Sequence, residues 1–249
     1  MAGLGKRFFS EKYRLPKPFI PVQGKDAFIT AVNSFPRAQE YIFIAQEEHI
    51  KRYKMEKKLN NIGWNHRIVA LNQVTEGQAC TCLLAKDFFK KDLPLFIASC
   101  DYQMIYDEAL YQSLLNDPKV DIIIWTFKIK HIKKARFEDF AYCRINKNSK
   151  KVEEIVEKQV ISNNPENDHA VVGSFTYKRS QDFVLGAEQM IQKNIRINNE
   201  FYVGTSINQL IEAGYHVVAF EIDQFISFGT PLELELMQYW EEFFKKEDI

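Results

Sequence analysis

The chain opens on Ala2-Gly3-Leu4-Gly5-Lys6-Arg7, and Lys17 follows ten residues after Arg7 within Leu15-Pro16-Lys17-Pro18-Phe19. Glycines let a backbone approach a polyphosphate so that its N–H groups point at the oxygens. Arg7 and Lys17 supply cationic donors where negative charge accumulates. The pairing suggests nucleotidyl transfer. Position 8 is Phe where a dinucleotide fingerprint has its third glycine, and no Gly-Lys-Ser/Thr follows, so neither that fingerprint nor a P-loop is present.

Asp101 ends the apolar run Leu95-Phe96-Ile97-Ala98-Ser99-Cys100. That places it at the carboxyl edge of a parallel strand, where open α/β sheets bind ligands. Mg²⁺ prefers a carboxylate together with phosphate oxygens and water, so Asp101 is the metal candidate; otherwise it caps the next turn. Gly77-Gln78-Ala79 begins a helix, and the amides of Gln73 and Gln78 can both donate and accept toward a base edge. Cys80-x-Cys82 lacks a second pair or a histidine at zinc spacing and reads as buried thiols. His49, His66, His131, His169 and His216 are scattered and match no catalytic pattern.

These residues need elements to hold them. Apolar runs at 41–45, 67–71, 95–100 and 122–127 alternate with helix-like stretches at 26–34, 47–59, 77–89 and 108–115, which is a βαβ succession. Further strands are expected at 140–145, 152–157, 170–177 and 217–222, and helices at 181–193, 206–213 and 232–246. The reading is an α/β fold in one domain of 249 residues, with a nucleotide-binding half at 1–127 and an acceptor-binding half at 128–249. Lys+Arg and Asp+Glu are equal at 33 each, so nothing favours nucleic acid or an anionic membrane as partner. Lys6, Arg7, Arg14, Lys17 and Lys25 make the basic character local. No window approaches the ~20 apolar residues of a membrane span and the N-terminus lacks a signal-peptide core, so a cytoplasmic protein is expected.

Taken in order, Gly3 to Arg7, Lys17, Gly77-Gln78-Ala79, Leu95 to Asp101, Glu157-Lys158, Val172-Gly173-Ser174-Phe175 and Phe228-Gly229-Thr230-Pro231 resemble the signature blocks of the sugar-phosphate nucleotidylyltransferases. The wording of the first block looks closest to capsule-locus nucleotidylyltransferases and cytidylyltransferases. The resemblance extends over most of the chain. It implies a Rossmann-like, GT-A-type three-layer domain with a mixed, mainly parallel central sheet. It also implies an apolar first strand ahead of Ala2, which the numbered chain does not contain.

By the same resemblance, Arg7 grips the β- and γ-phosphates and Lys17 bridges the α-phosphate and the incoming phosphate. Ala2, Gly3, Leu4, Gly5, Lys6, Gln73, Gly77, Gln78 and Cys100 would contact the nucleotide, while Glu157, Lys158 and Gly173 would contact the acceptor. Mg²⁺ is the implied cofactor, with Asp101 as ligand. Many relatives place a second metal aspartate two residues before the Gly-Thr-Pro glycine. Here that position is Ser227, with Asp223 four residues earlier. Either Ser227 helps Asp101, which is the preferred reading, or Asp223 reaches in from a shifted strand.

The implied partners are an NTP and a phosphorylated small molecule, most simply a sugar 1-phosphate for capsule, lipopolysaccharide or cell-wall precursors; a homo-oligomer stays open. One alternative is a CTP-dependent enzyme acting on phosphocholine or a phosphoglutamine-like acceptor. A GT-A glycosyltransferase would show Asp-x-Asp where this chain has Asp101-Tyr102-Gln103. A non-catalytic nucleotide-binding module is the remaining alternative.

Overall fold

The structure is a computed structural model that describes residues 8, 13–129 and 136–246. A short hairpin of β1 (Pro21–Val22) and β2 (Lys25–Asp26) leads into α1 (Ala27–Val32), followed by β3 (Tyr41–Gln46), α2 (Glu47–Arg52), α3 (Met55–Ile62) and β4 (His66–Leu71). Next come α4 (Gln78–Leu83), β5 (Leu95–Ile97), β6 (Tyr102–Ile105), α5 (Glu108–Asn116) and β7 (Ile122–Phe127). The chain continues through β8 (Ala141–Ile145), β9 (Val152–Glu157), β10 (His169–Tyr177), α6 (Ser180–Gln192), α7 (Val203–Glu212), β11 (Val217–Glu221), β12 (Gln224–Ser227) and α8 (Pro231–Lys246). These elements fall into two interleaved units, one of Met1–Val74, Ser99–Ile105 and Gln224–Ile249, the other of Thr75–Ala98 and Tyr106–Asp223.

In the first unit, β3 and β4 pair in parallel from Tyr41↔His66 to Gln46↔Leu71. Phe19, Phe28, Phe43, Ala45, Met55 and Leu59 form a buried cluster there. The stretch expected as one helix over 47–59 is two, because Lys54 takes a left-handed conformation (φ 50°) and restarts the helix. Gly63 (φ 80°) closes α3, its N–H returning to the Leu59 carbonyl. β6 and β12 pair antiparallel, Tyr102 opposite Ser227. Neither strand was apparent from the residues, since each has only four and follows another strand almost directly.

The second unit holds a six-stranded sheet in the order β11-β7-β10-β8-β9, with β5 also on β10. The fold is mixed α/β. Its parallel character is one of direction: β5, β7, β8 and β11 run one way, whereas β9 and β10 run against them. The chain reverses at the helix-free β8–β9 hairpin, whose strands are antiparallel neighbours, and β10 then keeps the direction of β9 and pairs on the other side of β8. Consequently β7–β11 and β3–β4 are the ladders with parallel hydrogen bonding among the described residues. All six residues of β7, Ile122 to Phe127, are buried, as a strand covered on both faces requires. Trp125 satisfies its indole by donating to Thr176 Oγ1 at 3.0 Å. Among the described residues no helix is long and apolar enough to cross a membrane.

Candidate functional site

Lys17 begins a 3₁₀ turn, Lys17–Phe19, between Pro16 and Pro18. Two prolines fix the backbone φ on either side of it. Phe19 anchors the turn from below, stacked on Tyr53 with centroids 4.6 Å apart and edge-on to Phe28 at 5.7 Å. The lysine is therefore presented from a stiff, seated segment.

Its ammonium makes two contacts, 2.5 Å to Asp101 Oδ2 and 2.9 Å to the Gly229 carbonyl oxygen. The two side chains are 19% and 23% exposed. Asp101 is held in turn by its own carbonyl, which accepts from the Phe228 N–H at 2.9 Å. The Gly229 N–H donates to Ser227 Oγ at 3.2 Å. A Cβ at Gly229 would lie 3.2 Å from Asp101 Oδ2, 3.3 Å from Ser227 Oγ and 3.5 Å from Lys17 Nζ, so the three groups converge on one point that a glycine leaves open. Burial works to raise the Asp101 carboxyl, but the Lys17 ammonium and hydrogen bonds from Lys17 and Ser99 outweigh it and hold the group below the usual carboxylate range.

Thr230 starts α8 with a reciprocal cap. Its N–H and hydroxyl both donate to Glu233 Oε2 at 2.8 Å, and the Glu233 N–H returns to Thr230 Oγ1 at 3.3 Å. That capping box fixes the chain just after Gly229, and the spacing Thr-Pro-Leu-Glu is its signal in the sequence. Phe8 is buried with Ile20, Val22, Ala27, Ala31, Phe228 and Leu234, and its ring lies 5.6 Å from Lys17 Nζ. Arg7 and the five residues Ala2 to Lys6 lie outside the described residues.

Asp101 lies further from β5 than the apolar run implied. β5 ends at Ile97, and the chain bends through Ser99 and Cys100 before β6 begins at Tyr102. The Cys100 side chain packs against the Phe19 cluster, and burial pushes its thiol up. Gln73 is exposed. The β6–β12 ladder sets Ser227 next to Asp101 in register, whereas Gln224, the residue after Asp223, stands opposite Ile105 at the far end.

No group of three or more His, Cys, Asp or Glu residues able to hold a metal exists among the described residues. One carboxylate and one hydroxyl near a common point do not make an all-protein cage. They do suit Mg²⁺, an ion that commonly takes one or two carboxylates and keeps its other oxygen ligands from water or a bound molecule.

In the second unit, Gly77 meets the backbone of Phe201. Its φ is +143°, and a Cβ there would come within 2.4 Å of the Phe201 nitrogen and 2.5 Å of the Phe201 oxygen. The Phe201 N–H donates to the Glu76 carbonyl at 2.9 Å and the Ala79 N–H to the Phe201 carbonyl at 3.0 Å, so the close backbone approach is made by the protein itself. Arg196 strengthens the junction by lying 3.9 Å over the Phe201 ring and pairing with Glu76. Gly77→Ala should therefore destabilise the fold by at least about 2 kcal/mol, since both the dihedral and the space forbid a side chain; a denaturant midpoint unchanged from wild type would refute this. Gln78 follows as the first residue of α4.

Glu157 ends β9, and its carboxylate rests against Gly204 in the first turn of α7, where a Cβ would lie 2.4 Å from Oε1. Burial pushes its pKa up to about 7, with Lys158 opposing. Lys158 is left-handed (φ 56°), donates its N–H to the Phe140 carbonyl at 3.0 Å and turns its ammonium to the Asp139 carbonyl. Gly173 (φ 96°) sits in the irregularity of β10 between Val171 and Phe175, a position that needs glycine for backbone reasons alone.

No family model matches the chain, and no curated protein matches it in sequence. Solved structures do. The nucleoside-diphosphate-sugar pyrophosphorylase of Vibrio cholerae RC9 superposes with a TM-score of 0.76 at 21% identity, over 95% of this chain and 97% of that one. The fold is that of the sugar-phosphate nucleotidyltransferases. A Bacillus anthracis protein assigned as a glucose-1-phosphate thymidylyltransferase, solved with a sucrose, gives 0.72 at 19% identity over 96% and 91%. The inositol-1-phosphate CTP transferase of T. maritima gives 0.71 at 17% over 95% and 92%. Within this nucleotidyltransferase fold, the first unit brings together Lys17, Asp101 and Ser227. The second unit carries Gly77, Gln78, Glu157, Lys158 and Gly173. Sequence reasoning missed Gly229 as the carbonyl partner of Lys17 and Phe201 as the partner of Gly77.

Proposed function

We propose that the chain is a single-domain nucleotidyltransferase, joining the NMP of an NTP to a phosphorylated acceptor and releasing pyrophosphate. The observation that carries it is the Lys17 ammonium, held by Asp101 Oδ2 and the Gly229 carbonyl on a proline-fixed turn. An ammonium has three donors. Among the described residues two are used, which leaves one for a phosphate oxygen.

In the reaction an acceptor phosphate oxygen attacks the α-phosphorus, the bond from α-phosphorus to the bridging oxygen breaks, and that electron pair departs with pyrophosphate. No proton has to move and no covalent enzyme intermediate is needed. The work of the protein is to bring two anions together and neutralise the charge. Lys17 would bridge the α-phosphate and the incoming phosphate, and Arg7 would hold the β- and γ-phosphates. Gly3, Gly5 and their neighbours would offer N–H groups to the triphosphate, with Gln73 and Gln78 toward the base. Asp101, assisted by Ser227, would hold Mg²⁺, whose charge, when bound, offsets that of the α-phosphate and the leaving pyrophosphate.

Glu157, Lys158 and Gly173 would meet the acceptor. A carboxyl that titrates near neutrality can both donate to and accept from a hydroxyl, which suits a sugar 1-phosphate. The neighbours named for sugar and inositol phosphates support that class, and one named for CTP makes a cytidylyltransferase acting on a non-sugar phosphate the second reading. Synthesis of activated sugars for capsule or lipopolysaccharide in the cytoplasm is the setting this activity fits.

The test is a matrix of the four NTPs against hexose 1-phosphates, inositol phosphate and phosphocholine, read by pyrophosphate release. Turnover with one pair is expected. Nucleotide binding without pyrophosphate release under any pair would favour a non-catalytic module, and release of a free nucleoside diphosphate from a sugar nucleotide would favour a glycosyltransferase.

Glu157 also makes the fold sensitive to pH. Because its folded value, about 7, lies above the ordinary 4.5, the protonated form stabilises the native state below pH 4.5 and that contribution is lost as pH rises through 7. Glu157→Gln should therefore gain on wild type by about 2 kcal/mol between those limits, while weakening acceptor binding. Parallel stability curves for the two proteins across this range would refute the assignment.

A further inference from the structure

α8 is seated on the first unit by Leu234 and Met237, which pack with Phe8, Val22, Ala27, Ala31 and Phe228. Its other face carries Leu232, Leu236, Tyr239, Trp240, Phe243 and Phe244, which are 41% to 68% exposed. The spacing i, i+4, i+7, i+8, i+11, i+12 makes one continuous stripe. Soluble monomers rarely leave so many large side chains open on one helix. The rings are already ordered against one another: Trp240 meets Tyr239, Phe243 and Phe244 with centroids 5.4, 5.7 and 5.9 Å apart.

We propose that this stripe is a dimer interface, in which α8 packs antiparallel on α8 of a second copy of the chain with Trp240 near the two-fold axis. Antiparallel pairing about residue 240 sets Leu236 against the partner's Phe244. It also brings Lys246, which faces the partner's position 234, within one residue of the partner's Glu235, twice over by symmetry, and leaves Glu242 opposite the neutral Gln238. Charge and apolar registers therefore agree. Half-exposed residues of this size leave roughly 100 Å² apiece. The six give on the order of 600 Å² per copy and about 1,200 Å² across the pair, the lower bound of a specific interface. A lipid surface fits less well. The polar positions of α8 hold Glu233, Glu235, Glu241 and Glu242 against Lys245 and Lys246, and an acidic helix is repelled by anionic headgroups. The inference uses none of the nucleotide chemistry above and stands or falls apart from it.

Sedimentation velocity on the whole chain from about 1 to 100 µM tests it, a span that brackets the affinity such an area supports. Wild type should shift from monomer to dimer over that range, and Trp240→Glu or Phe244→Glu should weaken association at least about tenfold. Both positions are exposed, and unchanged far-ultraviolet circular dichroism would show that the variants fold. Glu235→Lys and Lys246→Glu should each weaken the dimer, and the double exchange should restore it. A wild-type monomer at the highest concentration, dimers that ignore Trp240→Glu, or a double exchange no better than either single one would overturn the proposal. So would retention of the monomer on phosphatidylserine vesicles by the same stripe.

Discussion

Lys17→Ala is expected to lower turnover by at least about a hundredfold, the scale on which one preorganised transition-state donor is lost. The effect should fall on turnover more than on nucleotide affinity, because the third ammonium donor is most valuable where charge builds up between the α-phosphate and the attacking oxygen. Lys17→Arg should not rescue it. A guanidinium spreads its charge over a planar fork, so it would not set the compact charge that the ammonium places between Asp101 Oδ2 and the Gly229 carbonyl. Arg7→Ala should cost a comparable factor, with more of it in NTP affinity. Lys17→Ala also leaves the Asp101 carboxylate without its ion pair, and because both groups are only about one-fifth exposed the loss of stability should be on the order of 3 kcal/mol, the scale on which a largely buried charge is left unpaired. Melting temperature therefore separates the two consequences. Wild-type turnover by both variants in an active preparation would remove the site.

The lysine was legible because its neighbours in sequence do the positioning. Pro16 and Pro18 fix the turn, and Phe19 seats it. Asp101 was legible for a less direct reason: the apolar run before it announces a strand, yet β5 closes at Ile97 and the residue is held beside β6 and β12 through its backbone carbonyl, which accepts from the Phe228 N–H. Contacts between residues more than a hundred apart leave no periodic trace. Lys17 with Gly229 and Gly77 with Phe201 are of that kind, and a glycine in isolation does not say whether a ligand or a neighbouring backbone comes close to it. The strand directions show the same limit. Alternating strands and helices announce parallel neighbours, but the direction reverses at the helix-free connection after β8, and β10 keeps the reversed direction of β9. The exposed stripe of α8 was present in the spacing of Leu232 to Phe244, but a helix face reads as core until the structure shows which side is covered.

Asp101→Asn is expected to be the most damaging single change, at least about a thousandfold in turnover, since metal-borne charge stabilisation is worth several kcal/mol. The substitution keeps shape and keeps an oxygen that can accept from Lys17 Nζ, so it separates the aiming of Lys17 from the metal role proposed for the same carboxylate. If Asp101 serves only to aim Lys17, the amide should retain much of the activity and the wild-type enzyme should tolerate excess EDTA. If it also holds a divalent ion, activity should depend on Mg²⁺ or Mn²⁺, disappear in EDTA, and fail to return to Asp101→Asn at ordinary metal concentrations. Ser227→Ala discriminates further. Its hydroxyl already accepts from the Gly229 N–H, so its removal should be the milder lesion, about tenfold or less, and higher Mg²⁺ should compensate for it. A Ser227→Ala variant as damaged as Asp101→Asn would mean that the hydroxyl and the carboxylate bear the ion equally, and that the single-carboxylate site is wrong.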